Sequence, residues 1–153
     1  MMREYSFRVH GRIPAFNEII DAAKGYGGRG LGYSKMKKEW TNSIIGVLRR
    51  ARVWVSKDVP DGFEVSMETL PKLDRISLAF HWTEPNRKRD PDNVAVARKF
   101  VLDAMVEAGL IANDGWAQIA GWRDSFEVGP DAGVSVTVTE VPPEARKLQR
   151  RKR

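Results

Sequence analysis

Apolar and polar residues alternate from the start of the chain: Tyr5, Phe7 and Val9 fall on one side of residues 4–10. A two-residue period is that of a strand with one buried face. Pro14 closes this strand, and Asn17 is placed to cap a short helix carrying Ile19, Ile20 and Ala23. The period then changes. Ser34 is a capping residue for a helix to about Arg52, with Met36, Trp40, Val47, Leu48 and Ala51 on its buried side. Residues 53–74 carry a weak pattern, with one short strand expected at Phe63–Met67 between Pro60 and Pro71. A strong strand follows, in which Ile76, Leu78, Phe80 and Trp82 alternate with Ser77, Ala79 and His81. Ala97, Val101, Ala104, Met105 and Ala108 recur at three- and four-residue steps, predicting a helix from Asn93 to about Ala108 that Gly109 stops. Ala117–Trp122 is a further strand. Phe126–Val128 and Val134–Val138 bracket Gly129–Gly133 as a hairpin. Runs of strands with two or three helices predict a single α+β domain, a mixed or antiparallel sheet with helices packed on it.

Composition narrows the classes. With 153 residues, 42% of them hydrophobic, the chain has room for one real core. It has no cysteine, which excludes disulfides and thiolate metal sites. No apolar run reaches membrane-spanning length and the first residues lack a signal-peptide pattern, so a cytoplasmic protein without membrane contact is expected. The net charge is +6, from 26 basic and 20 acidic residues. Arg146–Arg153 holds six basic residues and no acid, and removing them leaves 20 of each sign. The excess thus belongs to the tail, expected to be a disordered arm over residues 144–153 beyond a folded domain of residues 1–143. It serves either to follow a phosphate backbone or simply as a solubility tail. Residues 25–32 contain five glycines, a flexible loop without the Gly-Lys-Ser/Thr of a phosphate-cradling motif.

The candidate chemistry is concentrated in Asn86–Trp116. Asp90 and Asp92 flank Pro91, which favours an extended conformation at Asp90. In an extended chain both carboxylates face one way, and such a pair suits a hard cation such as Mg²⁺. The same residues equally make a turn and helix start, with Asp92 or Asn93 as cap. Lys99 and Asp103 lie four apart, off the apolar stripe. If the chain doubles back at Gly109, a helix of roughly 22 Å and five or six extended residues covering roughly 17–20 Å return Asp114 to the acidic pair. Otherwise Asp114 is a turn residue before Gly115. Arg87, Lys88 and Arg89, with Lys35, Lys37 and Lys38, are candidates for phosphate contact, set against the ordinary role of a solvated surface. His10 and His81 fit no nucleophile–base pattern and are expected to be structural. Trp40 and Trp82 fit core stripes; Trp116 and Trp122 suit core, dimer contact or base stacking equally.

The run Asp90-Pro91-Asp92-Asn93, a lysine in the next helix, Leu102-Asp103-Ala104, Ala108-Gly109-Leu110 and Asn113-Asp114 resembles the RusA family of Holliday-junction resolvases. Ile13-Pro14-Ala15-Phe16-Asn17-Glu18 and Ser34-Lys35-Met36-Lys37-Lys38-Glu39 are also similar to family segments, so the resemblance extends over most of residues 4–140. It implies a homodimeric, Mg²⁺-dependent endodeoxyribonuclease, with Mn²⁺ as a substitute, cutting four-way DNA junctions in recombination and repair through water activated by the metal. Asp90, Asp92 and Asp114 match the metal-binding aspartates and Lys99 the assisting lysine, although Lys99 lies further from its second aspartate than the family's lysine does. Two other readings stand beside it: a non-catalytic DNA-binding protein, and a nuclease selective for flaps, forks or single strands.

Overall fold

A computed structural model of the chain describes residues 3–24, 31–50, 53–56, 64–66 and 70–143. In chain order these form β1 (Arg3–His10), α1 (Phe16–Lys24), α2 (Leu31–Arg50), β2 (Val53–Ser56), β3 (Glu64–Ser66), β4 (Ile76–Glu84), α3 (Pro91–Ala95), α4 (Arg98–Glu107), β5 (Ile119–Val128) and β6 (Gly133–Glu140). The strands make one mixed sheet in the order β3-β2-β1-β6-β4-β5. The expected α+β class is what forms. The tail, most of the glycine-rich loop, Ala51 and Arg52 at the end of the second expected helix, and Phe63 and Met67 at the ends of the short expected strand lie outside the described residues.

Alternation in the sequence becomes rows across the sheet. Tyr5, Val138 and Leu78 are register neighbours, as are Phe7, Val136 and Phe80, and Val9, Val134 and Trp82. All nine are buried and face the helices. Ile44 and Leu48 of α2 and Phe100, Val101, Ala104 and Met105 of α4 close the core over them. The buried Tyr5 hydroxyl donates to the Leu48 carbonyl at 2.9 Å, and its burial pushes the phenol pKa up to about 12.

Three local expectations are corrected. The helix expected from Asn93 to Ala108 is two helices, because the amides of Ala97, Lys99 and Phe100 donate to carbonyls three residues back. That tighter turn stacks Val94, Ala97 and Phe100 at three-residue spacing, and all three are buried. Its stop at Gly109 is as expected: Gly109 has φ +84°, and the amides of Gly109 and Leu110 return to Val106 and Met105. Helix α2 begins at Leu31, so Ser34 lies within it and is not its cap.

The third correction decides the topology. No hairpin joins the last two strands: β5 is one continuous strand, parallel to β4, and β4 separates it from β6. Residues 129–132 step over the end of β4, where the Gly129 amide donates to the Glu84 carbonyl at 2.9 Å. One strand width is about 4.8 Å, so a four-residue connection spans the intervening strand. Gly133 then passes so close to the Val9 carbonyl that any Cβ would collide with it. β4, α3, α4 and β5 make a crossover unit, and β4–β5 is the only parallel pair among the described strands. No helix among the described residues is long and apolar enough to cross a membrane.

Candidate functional site

Parallel strands joined by a helical crossover end at the same edge of the sheet. That edge is marked by Glu84 and Val128, which are register partners. Past Glu84 the chain turns through Asn86–Arg89 and enters α3 from Asp90. A groove of ≈ 520 Å³ opens between this turn and β5, bordered by Trp82, Arg87, Asp90, Val94, Phe126 and Val128.

The turn is held by a buried ion cluster. Glu84 occupies the inward-facing phase of β4, two residues after Trp82, and is 8% exposed. Arg89 Nε reaches Glu84 Oε1 at 2.6 Å, and Arg12 Nη2 reaches the same oxygen at 3.3 Å. Arg89 Nη1 also donates to Glu18 at 2.9 Å and to the Ile13 carbonyl at 3.2 Å. Burial alone would raise the Glu84 pKa, but hydrogen bonds from Arg89 and then Arg12 outweigh it and hold the carboxyl below its ordinary value of 4.5. A depressed carboxylate pKa contributes stability that is complete above the unfolded value and disappears as pH falls through the folded one. Urea midpoints measured from pH 6 down to pH 3 should therefore fall less steeply below about pH 4.5 in Glu84→Gln than in the parent. Equal slopes would remove this cluster from the acid response.

Arg89, expected on the phosphate-contacting surface, is thus committed to the fold. Its side chain is 13% exposed and its partners are all internal. Lys37 is drawn to Asp103 at 3.1 Å, which raises its pKa through that hydrogen bond, and Lys35 leans towards Glu39 at 4.0 Å. Arg87, Lys88 and Lys38 are exposed, and their side chains have no ion-pair or hydrogen-bond partner among the described residues.

Asp90 sits at the N-cap of α3 in extended conformation, φ −67° and ψ 149°, yet its side chain caps nothing. Asp92 lies in that first turn, so the extended geometry expected to align the two acids ends at Pro91. Both carboxylates are exposed and have no partner among the described residues. Asp114 is not brought to them. Helix α4 runs back to the start of β4, where the Leu73 amide donates to the Leu110 carbonyl, and Asp114 enters β5 from that end. It borders a separate hollow with Trp116, Ile119 and Trp122, whereas the Asp90 groove meets β5 at Phe126 and Val128. No group of three His, Cys, Asp or Glu residues arranged for a metal ion occurs among the described residues. Lys99, 63% exposed, donates to Asp103 at 3.2 Å from the second helix.

Beside the groove, Asp124 accepts from Trp82 Nε1 at 2.8 Å and from Arg98 at 2.5 Å, and the Arg98 guanidinium lies 4.9 Å from the centre of the Trp122 ring system. Sequence reasoning passed over both this cluster and Glu84. For Glu84 a signal existed, since a charged residue continuing an apolar alternation requires a buried partner. The histidines lie on the outer sheet face: His81 contacts Ser125 at 2.6 Å and Glu127 at 3.3 Å, and His10 lies 3.6 Å from Asp131. The chain matched no protein-family model and no curated protein with which it was compared.

Proposed function

We propose that this chain is a Mg²⁺-dependent endodeoxyribonuclease of the RusA type, acting as a homodimer on four-way DNA junctions. The observation that carries the reading is the pair Asp90 and Asp92: two exposed carboxylates around a proline, without partners among the described residues, at the carboxyl end of the one described parallel strand pair. Mg²⁺ favours such a site, because it takes one or two carboxylates, retains several waters and shares substrate phosphate oxygens. When bound, the ion supplies acidity to an attacking water and offsets charge on the leaving oxygen. The protein's own part is positional. The Glu84–Arg89 pair fixes the turn that presents Asp90, while Arg87 and Lys88, whose cationic ends have no partner among the described residues, are placed to hold a phosphate backbone. Lys99 joins them through an exposed contact to Asp103, worth at most about 1 kcal/mol and open to displacement by phosphate.

Asp114 enters this reading from a second copy. An antiparallel approach along β5 sets the Asp114 end of one chain against the Asp90 end of the other, which supplies the third acid that one chain does not gather.

The test is cleavage of a labelled four-way junction beside a linear duplex of the same arms, with Mg²⁺, with Mn²⁺ and with chelator. Metal-dependent paired nicks confined to the junction are expected. Binding without cleavage under either ion would favour the non-catalytic DNA-binding reading, and preferential cutting of flaps, forks or single strands would change the substrate class.

A further inference from the structure

We propose that Ser125, His81 and Glu127 form a nucleophilic site on the face of the sheet turned away from the helices, cleaving carboxylic esters by acyl transfer to Ser125. The outward phases of β4 and β5 bring the three together, with 44 residues of sequence between His81 and Ser125. His81 and Ser125 are register partners, and Glu127 is the next outward residue of β5. His81 Nδ1 lies 2.6 Å from Ser125 Oγ, and Nε2 lies 3.3 Å from Glu127 Oε1. Thr83 Oγ1 donates to the same carboxylate oxygen at 3.0 Å. The hydrogen bond from Thr83, then that from His81, holds the Glu127 carboxyl below its ordinary 4.5, so near neutrality it is ionised and only accepts. The ring proton of neutral His81 therefore belongs on Nε2, which leaves Nδ1 to accept from the Ser125 hydroxyl. Nucleophile, base and orienting acid thus stand in line, each bonded to the next through a different ring nitrogen.

An acyl-transfer site also needs room and charge stabilisation beside the nucleophile. On this face a hollow of ≈ 740 Å³ is lined by Ser77, Ala79, Gly121, Arg123, Thr137 and Thr139, among others. Small side chains give it depth, and the hydroxyls suit a small polar acyl group. Arg123 stands two residues before Ser125 on the same face, exposed and with no partner among the described residues. Ser125 Oγ attacks the ester carbonyl carbon as its proton passes to His81 Nδ1. The Oγ–C bond forms and the carbonyl electron pair moves to oxygen, where Arg123 offsets the charge. Collapse breaks the bond to the alkoxide, which leaves with the proton from Nδ1. Water then attacks the acyl group, giving its proton to Nδ1. The carboxylic acid departs and Ser125 recovers its hydrogen. Glu127 stabilises the imidazolium in both halves.

Nothing in this site draws on Asp90, Asp92 or a metal ion. The test is stopped-flow reaction of the full chain with p-nitrophenyl acetate, followed by mass spectrometry of the quenched protein. A burst of p-nitrophenolate equal to the chain concentration is expected, with one acetyl group on Ser125. Ser125→Ala should abolish the burst, and His81→Gln should slow it at least about 10²-fold, the scale of a lost general base. Arg123→Ala should slow it by roughly 10²-fold as well, through the oxyanion. Circular dichroism establishes that these surface variants remain folded. Chelator should leave the burst unchanged, so that failure of the metal-dependent nuclease reading and failure of this one are read separately. No burst from the native chain, acetyl on a residue other than Ser125, or His81→Gln reacting at the native rate would overturn the proposal.

Discussion

Asp90→Asn is expected to lower Mg²⁺-dependent junction cleavage by at least about 10²–10³-fold, the scale on which loss of one group stabilising transition-state charge acts. Its thermal midpoint should stay within about 2 °C of the parent, because an exposed side chain that caps nothing has little stability to lose. The contrast matters: a cap would show the reverse, with the helix weakened and turnover intact. Asp114→Asn should be similarly inactive, and the two inactive chains should complement each other. In a mixed dimer one site carries both changes and the other carries neither. Random exchange makes about half of the dimers mixed, so about a quarter of native activity should return, as single nicks and not paired ones. No recovery on mixing would mean that Asp114 acts within its own chain or not at all.

The second large effect is on stability. Arg89→Ala should cost roughly 3 kcal/mol, since among the described residues it leaves the buried Glu84 carboxylate with only the half-exposed Arg12. For a domain of this size that corresponds to a fall of roughly 6–12 °C in Tm, read by calorimetry. Arg87→Ala and Lys88→Ala should leave Tm nearly unchanged and flatten the salt dependence of DNA binding instead, each by about one phosphate contact. If Arg89→Ala altered only the salt slope, its place in the fold cluster would be wrong.

Much of the architecture was legible because it rests on local periodicity. Tyr5, Phe7 and Val9, and Ile76 to Trp82, bury the faces their alternation assigns, and Gly109 ends its helix with the expected positive φ. Pairing was less legible. The apolar residues either side of Gly129–Gly133 suit a hairpin as well as a crossover, and what separates them is β4, whose place between β5 and β6 no local pattern records. The candidate site divided along the same line. Asp90 and Asp92 were visible as neighbours, whereas the position of Asp114 depended on where helix α4 delivers the chain. Arg89 looked like its basic neighbours Arg87 and Lys88, because a guanidinium's burial is set by residues as distant as Ile13 and Glu18.

The central position of β6 governs the order in which the molecule can be built. It lies between β1 and β4, so the ladder β3-β2-β1 and the crossover unit β4–β5 share no strand pairing until β6 enters. The clasp at its far end joins Arg3 to Glu140 across 137 residues of sequence. Pairings so distant form slowly, because a long loop must close before any contact compensates. While the chain emerges from a ribosome, Tyr5, Phe7 and Val9 on one part and Leu78, Phe80 and Trp82 on the other wait with uncovered neighbours until residues 133–140 arrive. Folding of this sheet is therefore a late, closing event, and the interval before it is when the nascent chain is most exposed to aggregation and proteolysis.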